Sequence, residues 1–342
     1  MTSHTLNEAS LDALLTAPSP ALVSDMAGVT GDIIVLGAGG KMGPTLCLLA
    51  RNALKSARSR ARVIAVSRFT DVNAARLLSD NDIETISCDL LDATALAALP
   101  KAPNVIYMAG RKFGTTGSEH LTWGMNAVLP ALVSGAFKDS DIVVFSSGNI
   151  YPPAPLSSGG CREETLPGPV GEYAMSCLAR ERVFEYAARA YGTRVLLYRL
   201  NYAVDLRYGV LCDIAEKLIA GEAISLDTPV FNIIWQGFAN EVALRGLRHC
   251  ACPPLTLNVT GPETISVQYA AERMASILGV WPIFTGEPRD TAILSNASRA
   301  IEMFGYPPVS AGQMIEWQAH WFLNNNRRLN KPTRFEERSG NF

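Results

Sequence analysis

The segment Gly37-Ala38-Gly39-Gly40-Lys41-Met42-Gly43 carries the clearest chemical signal in the chain. Glycine serves where a backbone must turn sharply and where a pyrophosphate must come close to a helix N-terminus. The spacing is Gly37-x-x-Gly40-x-x-Gly43, whereas in the pattern G-x-G-x-x-G the last glycine would fall on Met42. The β-branched run Asp32-Ile33-Ile34-Val35-Leu36 precedes the loop, and a helical stretch opening at Pro44 follows it. Pro44 suits a first helical turn, where its missing N–H is not needed. A strand before and a helix after form the context in which such a loop cradles a dinucleotide. Gly37, Gly39, Gly40, Lys41, Met42 and Gly43 are the expected phosphate-side residues. The next strand ends in Ser67-Arg68. A carboxylate there would bond the ribose 2′-hydroxyl of NAD, whereas arginine suits a 2′-phosphate, so Ser67, Arg68 and Lys41 favour NADP.

These residues need a scaffold, and the pattern supplies one. Apolar β-type runs at 33–36, 63–66, 84–88, 104–108, 141–145 and 194–198 alternate with helical stretches, the longest at about 172–190. Continuous apolar strands separated by helices predict an α/β fold: a doubly wound, parallel Rossmann-type sheet covered on both faces. Past Asn201 the alternation loosens. Helices at 211–219, 267–278 and 313–323 and strands at 231–235 and 255–259 predict a smaller mixed α/β lobe for substrate. The expected division is a helical extension over 1–30, then a dinucleotide-binding domain over 31–202 to which 229–260 return. The substrate lobe is 203–228 with 261–330, and the tail is 331–342. Within the extension, Leu6, Leu11, Leu14 and Leu15 at helical spacing predict one short amphipathic helix, ended at Pro18-Ser19-Pro20.

Of 342 residues, 48% are hydrophobic and 18% charged, enough apolar side chain for a sizeable core. A net charge of −2 offers no basic field for nucleic acid or an anionic membrane surface. No apolar stretch reaches the ~18 residues of a membrane helix, and Asn7, Glu8, Asp12 and Asp25 stand where a secretory leader would be basic. The cysteines are scattered from Cys47 to Cys252 without paired or metal-ligand spacing. The expectation is a reduced, cytoplasmic protein without a metal.

With these residues in view, the chain resembles the extended short-chain dehydrogenase/reductase family, the NAD-dependent epimerase/dehydratase family, from about residue 32 to 321. Beyond the glycine spacing, Asp89-Leu90 resembles its adenine-contacting acidic position. Met108-Ala109-Gly110 resembles the loop after its fourth strand, and Asn126 its helix asparagine. Phe145-Ser146-Ser147-Gly148-Asn149-Ile150-Tyr151 is similar to its serine-bearing strand end, with Glu164, Pro167 and Tyr173 following in order. Leu257-Asn258-Val259-Thr260-Gly261 and Ser266-Val267 resemble a segment of its second half. The resemblance implies Tyr173 as acid/base, Ser147 orienting the same substrate oxygen, Asn126 with them, and Ala109 and Gly110 at the cofactor. It also implies a small carbohydrate substrate and a homodimer.

One position departs. The family's tyrosine is followed four residues later by a lysine that lowers the phenol pKa and holds the nicotinamide ribose; here the segment reads Tyr173-Ala174-Met175-Ser176-Cys177. A thiol carries no positive charge, and a thiolate would raise the tyrosine pKa. The alternatives for a substitute cation are few: Lys41, Lys55, Lys101, Lys112, Lys138, Lys217 and Lys331. Only Lys112, in Gly110-Arg111-Lys112-Phe113-Gly114, leaves the carboxyl end of a central strand, where open α/β sheets bind ligands. Lys112 is expected to supply the charge or to grip an anionic substrate. Asn149, Asn201 and Tyr202 are the further substrate-side expectations, with Arg207 either an anion ligand or a structural ion pair. Ile233 to Phe238 lacks the pair of aspartates that relatives commonly show. Two readings stand: an enzyme acting on a hydroxyl or carbonyl of a sugar-like substrate, and an NADP-binding regulator with little turnover.

Overall fold

A computed structural model describes residues 6–329, 331 and 333–341. The first five residues of the expected extension, residue 330 of the expected lobe, and residues 332 and 342 of the expected tail lie outside the described residues.

Seven parallel strands form the central sheet: β1 (Ile33–Leu36), β2 (Val63–Ser67), β3 (Glu84–Ser87), β4 (Asn104–Tyr107), β5 (Asp141–Ser147), β6 (Arg194–Leu200) and β7 (Leu255–Val259). Their order is β7-β6-β5-β4-β1-β2-β3, so the direction of winding reverses between β1 and β4. That reversal opens a crevice at the carboxyl edge. The strands β1 and β4 are buried throughout, as a sheet covered on both faces requires.

Two helices precede the sheet, α1 (Glu8–Thr16) and α2 (Pro20–Ala27), where the leucine spacing suggested one. Pro18-Ser19-Pro20 ends the first and starts the second: Ser19 accepts the N–H of Leu22 and Pro20 takes the first helical turn. The helices α3 (Gly43–Ser56), α4 (Val72–Ser79), α5 (Ala93–Ala98), α6 (Glu119–Trp123), α7 (Leu129–Ala136) and α8 (Gly171–Tyr191) wind between the strands. Beyond β6 come α9 (Val210–Ala220), α10 (Gln236–Gly246), α11 (Val267–Leu278), α12 (Ser298–Phe304) and α13 (Ala311–Leu323).

The described apolar interior falls into three main cores. One lies on one face of the sheet around Val35, Leu46, Val143 and Leu257; the second gathers α9, α11 and α13 around Ile214, Met274 and Trp321; the third covers the opposite face of the sheet around Ile34, Tyr107 and Phe184. The amino-terminal helices join the first two, since α1 buries Leu11 and Leu15 in the second core while α2 buries Leu22 and Met26 in the first. Residues 231–235 do not form one strand: Val230–Phe231 pairs with Ile265–Ser266, and Ile234–Trp235 with Ala203–Val204. The intervening Asn232 donates its Nδ2 to the Ser295 carbonyl and accepts Asn201 Nδ2 at its Oδ1, which breaks the run. Among the described residues no helix is long and apolar enough to cross a membrane, no group of His, Cys, Asp or Glu is set to hold a metal, and all seven cysteines are unpaired.

Candidate active site

The carboxyl edge of the sheet opens into a cleft of about 410 Å³, walled by the loops after β1, β4, β5 and β6, by the first turns of α8 and by Thr333. After β1, the N–H groups of Gly37 and Ala38 both reach the carbonyl of Val66, which folds the loop tightly over β2. Two glycines are required by contact. Gly37 has φ +97, and a Cβ there would stand 2.6 Å from the Ala109 nitrogen; a Cβ on Gly43 would stand 2.2 Å from the Ala38 carbonyl oxygen. Met42 caps α3 without a side-chain acceptor; the Gly43 N–H turns back to the Gly40 carbonyl and Pro44 has none to offer, so the positive end of the helix faces the cleft with no acidic side chain upon it. Ser67 lies close under Gly39, whose Cβ would meet its Oγ at 2.6 Å. Arg68 and Asp89 are exposed just beyond, at the ends of β2 and β3, and Leu90 is buried.

At the end of β5, Ser147 Oγ accepts the N–H of Asn149 at 3.1 Å. It is also hydrogen-bonded to Tyr173, which stands in the first turn of α8. Burial pushes the Tyr173 phenol above its ordinary value and the Cys177 sulfur adds to this; the Ser147 bond and the Arg180 guanidinium pull the other way. Cys177, one turn along the same face, is fully buried against Ile150, Ala292 and Leu294 and does not reach the cleft. Burial raises its thiol too. Placed there, Cys177 fills apolar space and is not among the residues that line the cleft.

Lys112 does reach this centre. Its Nζ lies 5.5 Å from the Tyr173 ring centroid and donates to the Thr333 carbonyl at 3.4 Å. Burial brings its ammonium down to about 8, while Cys177 and Asp213 favour the charged form. Asn126, expected among the catalytic groups, stands one layer behind. Its Nδ2 donates to the Arg111 carbonyl at 2.8 Å and to Ser176 Oγ at 2.9 Å, and its Oδ1 accepts from the Arg111 N–H and from Arg180. It is fully buried and does not line the cleft, and its bonds pin the backbone immediately before Lys112. A π-helical turn at Gly124–Val128 swings it into that position.

Asn201 lines the cleft and donates to Asn232 at 2.7 Å; Tyr202 follows with φ +45 and forms part of the same wall, as does Asn149. Arg207 does not enter it. Its guanidinium is held by Asp205, Asp12 and Glu8, so the charge is spent tying the second lobe to α1. Lys41 leaves the glycine loop across the cleft, with Nζ 3.4 Å from the Tyr208 ring centroid and 4.6 Å from that of Phe113.

Sequence reasoning assigned nothing to Arg180, Tyr208, Asp213 or Thr333. Arg180 is 5% exposed and donates at 2.6 Å to the Phe145 carbonyl and to Asn126, with its Nε left without a partner. It lies seven residues from Tyr173, two turns along one helix face, a spacing that could have marked it. Thr333 gave no signal, because only the path of the chain after α13 brings it to Asp213, whose carboxylate accepts its N–H at 2.8 Å and its hydroxyl at 2.5 Å.

The family model for the NAD-dependent epimerase/dehydratase family matches residues 33–204. No protein of curated function matches the chain. Among solved structures, a UDP-glucose 4-epimerase from Thermotoga maritima with UDP-glucose aligns with TM-score 0.70 at 16% identity, covering 86% of this chain and 99% of that one. A UDP-glucuronic acid 4-epimerase from Bacillus cereus in complex with NAD gives 0.70 at 16% identity, over 86% and 100%. DesIV, a dTDP-glucose 4,6-dehydratase from Streptomyces venezuelae with NAD and TYD bound, gives 0.71 at 17% identity, over 86% and 97%. At such identities the likeness is one of fold.

Proposed function

The chain belongs to the NAD-dependent epimerase/dehydratase family, and from that premise we propose an NAD(P)-dependent enzyme acting on a hydroxyl or carbonyl of a sugar or sugar-like substrate. Residues 31–202 with 229–260 serve as its cofactor domain, and the remainder of 203–330 as its substrate lobe. The observation that carries the reading is Tyr173 hydrogen-bonded to Ser147 in the cleft that the glycine loop opens into, with the Lys112 ammonium over its ring.

The residues present fit a dinucleotide. Gly37 and Gly43 admit no side chain, and the N-terminus of α3 is uncapped beside them. These would hold the pyrophosphate, with Ala109 and Gly110 beside them, Asp89 and Leu90 toward the adenine, and Ser67 and Arg68 at the ribose. Exposed Arg68, with no carboxylate at the end of β2, favours NADP. When bound, the nicotinamide supplies hydride transfer. Tyr173 takes the proton from the substrate hydroxyl, or returns it to the carbonyl oxygen. Ser147 holds that same oxygen. Cys177 takes the place of the family's lysine, and Lys112, reaching Tyr173 from the loop after β4, supplies the positive charge that favours phenolate. Asn149, Asn201 and Tyr202 border the substrate. The homodimer implied by resemblance, and a reducing cytoplasmic setting suited to seven unpaired cysteines, complete the reading.

One observation favours the alternative, an NADP-binding regulator: the phenol is held high, with a thiol in the lysine's place. Cofactor titration followed by turnover of a carbohydrate panel separates the two. Tyr173→Phe is expected to lower kcat by about 10²–10⁴ with cofactor affinity retained. Cofactor binding by the wild type, with turnover of no carbohydrate, would favour the regulator.

A further inference from the structure

Tyr173, Cys177 and Arg180 stand at i, i+4 and i+7 along α8, which places them on one face. A long side chain on a helix leans back toward the amino end, so Arg180 carries its guanidinium over the turn that holds Ser176 and Cys177. Its bonds fix it at that level. Nη2 donates at 2.6 Å to Asn126 Oδ1. The Nδ2 of the same amide donates at 2.9 Å to Ser176 Oγ, and that hydroxyl donates at 2.8 Å to the Tyr173 carbonyl. Nη1 donates at 2.6 Å to the carbonyl of Phe145, two residues before Ser147. A Cβ on Gly110 would stand 2.6 Å from Nη2, so the guanidinium lies directly against the loop after β4. Arg180 lines the cleft with Gly110, Ser147 and Tyr173, although it is buried.

The charge is not spent on a carboxylate. Both acceptors are neutral, and Nε has no hydrogen-bond partner among the described residues. Glu181, the next residue, gives its carboxylate to Ser146 and to Arg199. The other titratable groups around the guanidinium are Tyr107, with its ring centroid 5.9 Å away, Cys177 and Tyr173. Of these three only Tyr173 lines the cleft. A guanidinium held out of water without a counter-ion favours the anion that can form beside it, and here that anion is the Tyr173 phenolate.

We propose that Arg180 is the fixed positive charge of the Tyr173 centre, filling from farther along α8 the place that a lysine at position 177 would take. The proposal rests on the reading of Tyr173 as acid/base given above. Asn126 and the Phe145 carbonyl aim the guanidinium, and Arg180 acts through Tyr173, as a positioning residue. Lys112 adds a second charge from the cleft side, one that can discharge; a guanidinium does not. The thiol at 177 fits the same arrangement, because a lysine there would set a second cation against Arg180 in one dry space.

Two substitutions separate charge from packing. Arg180→Lys keeps the charge, whereas Arg180→Gln keeps an amide donor for Asn126 and Phe145 and loses it. The groups facing the Tyr173 phenol are Cys177 and Arg180 from α8, Ser147 from β5 and Lys112 from the loop after β4. A fluorotyrosine replacing Tyr173, followed by fluorine NMR, reports phenol ionisation without turnover. Its midpoint is expected about one pH unit or more higher in Arg180→Gln than in the wild type, and close to the wild type in Arg180→Lys. With the natural tyrosine, kcat is expected to fall about tenfold or more in Arg180→Gln and to be largely kept in Arg180→Lys, with cofactor affinity retained in both. Adding Cys177→Lys to Arg180→Gln is expected to recover part of the lost kcat, which a purely structural role for Arg180 does not predict. If Arg180→Gln does not fold, Arg180→Met takes its place. A midpoint unchanged in the neutral variant, or equal impairment by lysine and glutamine, would overturn the proposal. Midpoints ordered as expected, with turnover of no carbohydrate, would count against the reaction and leave the assignment of the charge standing.

Discussion

At the scale of single residues, the site is a balance of charges held out of water. Tyr173 is pushed up by burial and by Cys177, so phenolate forms only with the help of cations. Two of those cations titrate in the working range: Lys41 at about 7 and Lys112 at about 8. The groups facing Lys41 are Lys112, Lys331, Asp213 and Tyr208, and burial sets Asp213 at about 6. A lysine lowered in the fold is charged below its pKa and neutral above it. The positive charge with which these lysines favour phenolate is therefore lost as pH climbs from about 7 to 9, and kcat for proton abstraction by Tyr173 is expected to fall across that range. Initial rates across that range, separated into kcat and KM, check the sign; a kcat that rises with pH contradicts it. Ser147, Tyr173 and Cys177 were singled out in the sequence by their match to, or departure from, the family's pattern. Asn126 was readable as polar and placed on a helix, but its partners Arg111, Ser176 and Arg180 come from three separate segments. Spacing along one chain does not encode such a meeting.

Among the elements, the strand-loop-helix unit from β1 to α3 was the most legible, because a continuous β-branched run, glycines and Pro44 each report a local backbone demand. The helix α10 was not. All but one of its residues are buried, so it shows no polar face and no helical period in its sequence. The π-helical turn before α7 left no pattern either, since a single widened turn shifts the register without changing composition. The loop lends itself to a substitution test. Gly43→Ala would drive a Cβ into the Ala38 carbonyl at 2.2 Å, backbone against backbone, with no flexible side chain to yield. Cofactor affinity is expected to fall by about 100-fold or more, with a melting temperature lowered by a few degrees, whereas Gly135→Ala, with open space around it, is expected to change neither. Fluorescence titration and thermal unfolding read the two effects separately.

At the scale of the whole molecule, the sheet and the second lobe are tied together by α1 with α2 and by the segment after α13. That last segment runs from Thr333 on Asp213, through Phe335 buried beside Phe231, to Gly340 against Gly171 at the start of α8. It thus touches the second lobe and the helix that carries Tyr173. Phe335→Ala is expected to destabilise the protein by about 3–5 kcal/mol and to raise the substrate KM, with cofactor affinity little changed. Denaturant unfolding and steady-state kinetics test it, and an unaltered KM in folded protein would separate the segment from the site. Nothing in its composition announced this path, for its meaning depends on surfaces that exist only after the sheet and the second lobe have formed.

The cleft gathers walls from the first loop of the sheet and from Thr333, close to the far end of the described chain. A ribosome delivers these in order, amino end first. The sheet can be completed once β7 has emerged, but the wall at Thr333 must wait for α13 and for the residues beyond it. In time, then, the nascent chain acquires a fold before it acquires a finished binding site, and the interval is set by the rate of translation.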